Sequence, residues 1–436
     1  MLFRSAASQE YARHFKQTPT LDKAAVDDPR WVWLSRGAAE AIQSFVARAT
    51  NANFGLRVAA YEFRLDAFAN GLKAAKKRGA DVRILYDGCN NPPDKQGDVF
   101  PRDDNREVAR KAGIKSLCTE RVTRDDVKNP PISHHKFIIL LKNGKAQAVL
   151  TGSTNFSLGG VFGQSNVVHV VEEPKIAEAY LQCWNLIQDN PDHQELRQAF
   201  TDLNQLPTKL PPKGTTCIFS PQASDEALTW YAKLATETQG ALFMTFAFGM
   251  NDQFKKAYRT GKAPLRYALM DKLLSPGVRK ENKGAAEKEM TTLRFQAENR
   301  FAVGNLLTTN TLDRWVREHL TGLNTHVRFI HTKFMLINPL SKDPIVITGS
   351  ANFSTASTVS NDENMLVIRG NQRVADVYLG EYMRLWSHYA FREWMAKPTA
   401  ERAAGFKHLD ISNQWWRGYF GNTARSRQRA YFSGSQ

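Results

Sequence analysis

The sequence predicts an α/β fold made of two tandem α/β sandwich repeats, and three observations support this prediction. A short motif occurs twice, as His134-His135-Lys136-Phe137 and as His331-Thr332-Lys333-Phe334, with matching positions 197 residues apart (134 to 331). Predicted strands alternate with predicted helices in the same order around both copies. A proline-rich segment, 206–214, separates the two halves, because successive prolines block regular strand pairing.

The elements of the first half follow from apolar periodicity and from turn residues. Gly79 lies just past a helical pattern, where a left-handed C-cap is expected, and Asn143-Gly144 predicts a tight hairpin turn. The predicted elements, in chain order, are a helix within 31–49, a strand at 56–63, a helix at 67–78, a strand at 82–86, paired strands at 137–141 and 147–150, a strand at 167–171 and a helix at 176–188.

The second half repeats this order. Its predicted elements are a helix at 225–238 and strands at 242–248, 265–270, 329–337, 345–348 and 365–368. The charged segment 275–298 interrupts the repeat, so a surface insertion is predicted there. The expected units are a first repeat at 24–205, a linker at 206–214, a second repeat at 215–398 and a basic, aromatic C-terminal tail at 399–436.

The charge balance indicates a polyanionic partner. Lys and Arg outnumber Asp and Glu by 59 to 43 among 436 residues, which gives a formal net charge of +16. Such a surplus favours nucleic acid or the head groups of an anionic membrane. Charge alone also fits a basic surface that serves only solubility.

The cysteines and apolar segments indicate a cytoplasmic protein. Cys89, Cys118, Cys183 and Cys217 are scattered and form no C-x-x-C pair, so neither a zinc site nor a disulfide framework is expected. The N-terminus lacks the apolar run of a secretory signal. The most apolar window, 241–250, is too short to cross a bilayer. We therefore expect any membrane contact to be peripheral.

The duplicated motif places the same chemical groups on two strands. Alternation along a strand points residues i and i+2 to one face, so His134 shares a face with Lys136, and His331 shares one with Lys333. A third H-x-K, at His14, has no Gly-Ser-x-Asn companion and is interpreted as an ordinary solvated residue. The companion loops add Asn155 and Asn352 as catalytic candidates and these candidate substrate-binding residues: Ser153, Ser157, Ser350, Ser354 and Asn166.

These groups suit phosphoryl chemistry. Lysine and amide donors can stabilise the charge on phosphate oxygens without a metal ion or another cofactor. Two imidazoles on opposite sides of a phosphorus atom fit an in-line displacement, in which one attacks and the other protonates the leaving oxygen. Either histidine alone is more typical of a core residue, but the matched pair favours catalysis.

The paired motifs resemble those of the phospholipase D superfamily, whose pattern is H-x-K-x4-D followed by G-S-x-N. The resemblance covers about 31–394 and implies a ping-pong mechanism through phosphohistidine, independent of metal, with the two copies related by pseudo-twofold symmetry in a monomer. The expected Asp is replaced by Leu141 and Asn338. In the family this Asp is mainly structural, and tyrosyl-DNA phosphodiesterases also lack it, so activity remains expected.

The resemblance also implies a carboxylate partner for one histidine. Glu363 stands where the family often has a histidine-orienting acid, and the matching position in the first copy is Asn166. We predict that Glu363 supports His134, which is assigned as nucleophile, with His331 as general acid. The reverse assignment stays open, and Glu363 could instead be a surface acid.

The first choice of function is a phosphodiesterase that cleaves phospholipid or transfers a phosphatidyl group. This choice rests on analogy, because lipid-processing members resemble this two-copy chain more than small single-copy nucleases do. The alternatives are a nuclease or DNA-end phosphodiesterase, favoured by the charge, and a non-catalytic polyanion-binding module. The arginines and aromatics after 414 suit stacking on bases, a lipid interface, or simple packing of the tail onto the body.

Overall fold

A six-stranded mixed sheet forms the centre of the first half. The computed structural model describes residues 14–15, 28–89, 100–123, 131–204, 206–275, 277–304, 329–395 and 413–434. Within these residues the first sheet has the order β3-β2-β1-β4-β5-β6. Its strands are β1 (Phe54–Ala60), β2 (Asp81–Asp87), β3 (Cys118–Arg121), β4 (Lys136–Lys142), β5 (Lys145–Gly152) and β6 (Val168–Val171).

A second sheet repeats this topology. Its strands are β7 (Gly214–Ser220), β8 (Ala241–Phe246), β9 (Leu265–Met270), β10 (Asn299–Val303), β11 (Phe334–Ile337), β12 (Ile345–Gly349) and β13 (Glu363–Arg369). Their order, β10-β9-β8-β11-β12-β13-β7, matches the first sheet strand for strand and adds β7 at one edge. The three strands at the other edge are parallel in both sheets, and the motif strands β4 and β11 run antiparallel to them. The predicted α/β class and tandem repeat are confirmed.

Helices cover both sheets. In the described part of the chain they are α1 (Pro29–Ser35), α2 (Ala38–Ala47), α3 (Asp66–Lys77), α4 (Arg102–Ala112), α5 (Pro174–Ile187), α6 (His193–Leu203), α7 (Glu226–Glu237), α8 (Asp252–Thr260), α9 (Lys283–Arg294), α10 (Thr355–Val359), α11 (Gln372–Met395) and α12 (Ala424–Phe432). The helix predicted within 31–49 is divided, because Arg36 and Gly37 both have positive φ angles (54° and 93°). No described helix is long and apolar enough to span a membrane.

The predicted insertion at 275–298 is wrong. Helix α9 lies in this segment and leads into β10, which pairs in parallel with β9 at the edge of the sheet. The helix α4 leads into β3 at the same place in the first half. The segment therefore belongs to the repeat. Its charge hid the pattern because α9 buries Met290 and Leu293 while its other side chains are largely exposed.

The apolar core is divided into layers by the two sheets. One cluster lies on the outer face of the first sheet and another on the outer face of the second. The largest cluster lies between the sheets, where α5 and α11 contribute Tyr180, Trp184, Tyr382 and Tyr389. Because residues of both sheets share this cluster, the two halves are held in a fixed relation.

Short backbone contacts join the halves at the motif ends of the sheets. Ser133 forms a parallel bridge with Asp362, and Ser165 forms one with Ile330. The two bridges are equivalent, since 133 and 330, like 165 and 362, differ by the same 197 positions. Each bridge lies one residue before a motif histidine and so fixes where that histidine enters the site.

A buried ion pair reinforces one of these bridges. Nε of Arg121, at the end of β3, lies 2.9 Å from Oδ2 of Asp362, and both side chains are fully buried. The backbone carbonyl of Asp362 also accepts the N–H of His134 at 2.9 Å. The pair therefore connects the first sheet to the residue before Glu363.

The C-terminal tail is anchored at the end of the second sheet that lies away from the motifs. Tyr431 of α12 is buried against Phe243, and Arg427 pairs with Glu298 at 2.9 Å, just before β10 begins. Trp415 and Phe420 remain about half exposed, at 60% and 49%. Helix α12 therefore packs onto the body of the protein, whereas aromatic residues before it, such as Trp415 and Phe420, stay at the surface.

Replacing Arg121 by alanine should destabilise the fold strongly. The change leaves the Asp362 carboxylate buried without its charged partner, which typically costs about 3–5 kcal/mol. Chemical denaturation should report this loss in the free energy of unfolding. Arg110→Ala is the matched control, because Arg110 pairs with Glu107 on an exposed face of α4 and should change stability little. A similar effect of both variants would contradict a role for the buried pair.

Candidate active site

The two motif histidines each receive a partner from the opposite half of the chain. Nδ1 of His134 lies 2.8 Å from Oε2 of Glu363, at the start of β13. Nδ1 of His331 lies 2.9 Å from Oδ1 of Asn166, just before β6. The pairs are related by the 197-residue repeat. The contact between Glu363 and His134 is therefore the one expected from the sequence, and it excludes a surface position for this acid.

The partners also fix the ring tautomers. Nδ2 of Asn166 donates to the carbonyl of Gly160 at 2.8 Å, so Oδ1 faces His331 and accepts a hydrogen bond from the Nδ1–H group. The ionised carboxylate of Glu363 can likewise only accept. Both imidazoles therefore carry hydrogen on Nδ1 when neutral, and each Nε2 keeps a lone pair.

Both histidines line one cavity of about 1100 Å³ between the halves. Asn155, Asn352 and Lys333 line the same cavity. Oδ1 of each asparagine is buried without a hydrogen-bond partner among the described residues, so both amides keep bonding capacity for a ligand. The structure thus brings the duplicated motifs together around a single space.

The motif lysines lie beneath the histidines. Nζ of Lys136 donates to the carbonyl of His134, and Nζ of Lys333 donates to that of His331, each at 2.6 Å. Lys136 also lies 5.3 Å from the centre of the Tyr61 ring. Both lysines are almost fully buried, although only Lys333 reaches the cavity wall.

Burial sets the protonation of the site. Desolvation, followed by the neighbouring Lys136 and Lys333, holds the pKa of His134 well below its ordinary value, and similar causes lower the pKa of His331. Desolvation also lowers the pKa of Lys136 to about 7 and that of Lys333 well below its ordinary value. Burial raises the pKa of Glu363, against the pull of the lysines. The buried basic groups therefore favour an anion at this site.

Three of the predicted substrate-binding residues are placed elsewhere. The hydroxyls of Ser153 and Ser350 are fully buried and accept the backbone N–H groups of Val167 and Asn364 at 3.0 and 2.9 Å. Asn166 supports His331. The observed contacts of Ser153 and Ser350 hold the loops that follow Gly152 and Gly349 at the ends of β5 and β12, and Asn166 orients His331, so the contact of these three residues with substrate stays a prediction.

The other two serines lie at the cavity. Ser157 and Ser354 both line it, and each hydroxyl accepts a backbone N–H from the following turn, of Gly160 at 3.1 Å and of Ser357 at 3.3 Å. Their predicted contact with substrate stays a prediction.

Sequence reasoning missed two aspartates that hold the motif segments. Oδ1 of Asp87, at the end of β2, accepts the N–H of Ser133 at 2.8 Å. Oδ1 of Asp271, just after β9, accepts the N–H of Ile330 at 3.0 Å. Asp87 and Asp271 end matched strands in the two halves, and this shared position could have identified them from the sequence.

The two residues that replace the expected motif Asp have structural roles, one in the core and one in a turn. Leu141 is buried in the central cluster. Asn338 has a positive φ of 48°, and its Oδ1 accepts the N–H of Ala241 at 2.8 Å. Both substitutes are structural in this chain.

A family model described as "Cardiolipin synthase, PLD-like domain" matches residues 45–185 and 296–386, which together make up more than half of the chain. The chain belongs to the phospholipase D superfamily. Both motif copies fall within the matched segments. Membership in the phospholipase D superfamily places the chain among proteins of the phosphodiesterase type.

A curated relative gives a partial match. A protein named "Phospholipase D" from Rickettsia conorii is 31% identical over 111 residues, which cover 25% of this chain and 45% of that protein. The matched segment thus spans less than half of the relative's length.

A solved structure shares the fold of this chain. The phosphatidylserine synthase of Haemophilus influenzae superposes with a TM-score of 0.53 at 11% identity, over 80% of this chain and 84% of that one. The polyphosphate kinase of Porphyromonas gingivalis gives a TM-score of 0.48 at 12% identity, over 90% of this chain and 53% of that one. At such identities the likeness concerns the fold alone.

Replacing Lys136 by methionine should stabilise the ligand-free protein. Because the pKa of Lys136 falls from about 10.5 to about 7 on folding, the buried ammonium costs stability at neutral pH, and an apolar side chain of similar length avoids that cost. We expect a gain on the order of 1 kcal/mol in the free energy of unfolding at pH 7. Chemical denaturation over a pH series measures it.

The pH dependence of the stability gain tests whether the charge of Lys136 causes it. The gain should shrink as pH rises from about 7 to about 10.5, since the unfolded lysine then loses its proton as well. Lys142→Met, at the exposed end of the same strand, should change stability little. If the Lys136→Met protein is less stable than the parent at every pH, the buried ammonium of Lys136 does not destabilise the fold.

Proposed function

We propose that the protein is a metal-independent phosphodiesterase that cleaves phospholipid, or transfers a phosphatidyl group, through a phosphohistidine on His134. The observation that carries this proposal is the shared cavity, lined by both His134 and His331 with each Nδ1 bonded across the halves. Two Nε2 atoms facing one cavity suit an in-line exchange at a single phosphorus atom.

In the first step Nε2 of His134 attacks phosphorus, and the bond from phosphorus to the leaving oxygen breaks. His331 in its protonated form gives its Nε2 proton to that oxygen, so the alcohol leaves neutral. The imidazole of His134 becomes positively charged as it bonds to phosphorus, and the Glu363 carboxylate stabilises that charge. Asn166 offers no such charge, which favours His134 over His331 as the nucleophile.

The second step returns the enzyme to its starting state. A water molecule gives its proton to Nε2 of His331, now neutral, and its oxygen attacks phosphorus while the phosphorus–nitrogen bond breaks. An alcohol in place of water gives transfer of the phosphatidyl group. The same two histidines thus serve both steps.

A substrate phosphate supplies negative charge beside the buried basic groups. Its anionic oxygens offset Lys136 and Lys333, so the pKa of His331 rises when substrate binds and the ring can hold the proton that it donates. The ammonium of Lys333 and the amide N–H groups of Asn155 and Asn352 stabilise the extra charge of the transition state, and the charge of Lys136 acts from behind the cavity wall. No step calls for a metal ion.

The wall of the cavity supports a lipid substrate. Phe246, Phe248, Phe353 and Leu158 line it together with the polar groups, and such a wall suits the apolar part of a phospholipid. The family model is described as cardiolipin synthase, and the curated relative is named phospholipase D. Cleavage of nucleic acid is the second candidate, because the net charge of +16 favours a polyanion.

Removing either motif histidine should abolish cleavage of bis(p-nitrophenyl) phosphate. We expect His134→Ala and His331→Ala to lower kcat by at least about a thousandfold, because each loses an essential nucleophile or acid. The control is His14→Ala, which removes the exposed histidine of the third H-x-K and should keep parental activity. EDTA should leave the rate unchanged.

Trapping of the intermediate separates the two roles. Rapid acid-free quenching followed by mass spectrometry should find the p-nitrophenyl phosphoryl group on His134 and not on His331. Activity that survives in either alanine variant, or strong inhibition by EDTA, contradicts the two-histidine mechanism.

Parallel assays on phosphatidylcholine vesicles and on single-stranded DNA test the substrate class. We expect release of choline or exchange of the head group at a rate well above any loss of intact DNA, since Phe246, Phe248 and Phe353 give part of the cavity wall an aromatic surface. DNA cleavage with intact lipid supports the second candidate, and binding of both without cleavage of either supports a polyanion-binding module.

A further inference from the structure

The cavity follows the internal repeat at most positions around the histidines. Matched residues from the two halves line it in pairs 197 positions apart: Asn155 with Asn352, Ser157 with Ser354, and Gln164 with Asn361. A phosphodiester has two ester oxygens, so a nearly symmetric centre suits its phosphorus. Selectivity between the two ester groups must come from positions where the repeat fails.

The two halves carry different residues just after two pairs of matched strands, β1 with β8 and β2 with β9. Strand β4 pairs Ile138 with Val58, and β11 pairs the matching Met335 with Met244, so Glu62 in the first half corresponds to Phe248 in the second. Asp87 and Asp271 hold equivalent backbone groups. The residue that follows is Gly88 in the first half and Lys272 in the second.

These differences give the two sides of the cavity opposite character. On the His134 side the Tyr61 ring lies 4.9 Å from the imidazole. Glu62 beside it pairs with Arg64 at 2.6 Å, and Arg64 pairs with Asp104 at 2.8 Å, which leaves this group with a net negative charge.

The His331 side carries a cation on an aromatic surface. Lys272 and Phe248 both line the cavity, and Nζ lies 6.0 Å from the centre of the Phe248 ring. Lys272 belongs to the His331 side because Asp271, directly before it, holds the N–H of Ile330, directly before the histidine.

We infer that Lys272 selects phosphodiesters whose leaving alcohol carries a second anionic group. This inference rests on the proposed function, in which His331 protonates the leaving oxygen, so that the leaving group lies on the side of Lys272. A carboxylate or phosphate on that group meets the ammonium, whereas the acidic group around Glu62 repels it from the other side. The same chemistry occurs in an anionic lipid head group and in the next phosphate of a polynucleotide.

Two matched substrate pairs test this selection and distinguish the two sources. Phosphatidylserine and phosphatidylethanolamine vesicles differ by one carboxylate in the leaving group. The dinucleotide TpT with and without a terminal phosphate on its leaving nucleoside differs by one phosphate. For each pair the ratio of kcat/KM, anionic over neutral, is measured for the parent protein, Lys272→Gln and Lys272→Arg.

We expect the parent ratio to exceed one for the pair that the enzyme uses. Lys272→Gln should lower it about tenfold, as loss of a hydrogen bond to a charged group does, and Lys272→Arg should largely restore it. Lys283→Gln, an exposed lysine on α9, should keep the parent ratio. The lipid pair responding alone assigns the anion to a head group, and the nucleotide pair responding alone assigns it to nucleic acid.

Other outcomes overturn the inference. A parent ratio at or below one, or an equal ratio in the parent and Lys272→Gln proteins, removes the role of Lys272 while cleavage of bis(p-nitrophenyl) phosphate keeps the proposed function intact. A parent protein that cleaves neither pair nor bis(p-nitrophenyl) phosphate contradicts the proposed function, and this inference with it. Circular dichroism of each variant confirms that the compared proteins are folded.

Discussion

Each imidazole at the site is oriented by a residue from the opposite half of the chain. The site therefore depends on the packing that holds the two halves together. Glu363 crosses to His134 and Asn166 crosses to His331, at 2.8 and 2.9 Å. Neither contact can form within one repeat. The central apolar cluster, the paired backbone bridges and the buried pair of Arg121 with Asp362 hold the two halves in the one relation in which both contacts exist.

The same arrangement buries two lysines and two histidines close together, with the Glu363 carboxylate bonded to one of the histidines. Burial and mutual repulsion lower the pKa of each of these basic groups. A fold that buries uncompensated cations gives up stability, and that loss is characteristic of binding sites for anions. In the proposed reaction the charge of a phosphate offsets these cations, which would link substrate binding to the protonation of His331.

Much of this could be predicted from the sequence, because the duplicated motifs lie on strands with clear periodicity. The constant offset of 197 positions predicted the common fold, and the family pattern led to the contact between Glu363 and His134. The roles of Ser153 and Ser350 could not be read, since a hydroxyl that faces a cavity and one that binds a loop have the same sequence pattern. The segment 275–298 was misread because α9 buries only a narrow apolar stripe.

Contacts between residues distant in the chain were the least predictable. Arg121 and Asp362 are each ordinary in their local sequence, and only the packing of one sheet beside the other brings them together. The anchoring of the tail through Tyr431 and Arg427 has the same origin. Such pairs depend on tertiary geometry, which local periodicity and turn residues do not reveal.

Calorimetric titration with vanadate, an analogue of the phosphoryl transition state, tests the central claim of one shared centre most directly. The two-half site predicts one vanadate bound per chain, with binding lost in His134→Ala and equally in His331→Ala, because each imidazole contacts the same ion. Two vanadate ions per chain, with each variant losing only one, would show two separate sites and contradict the account.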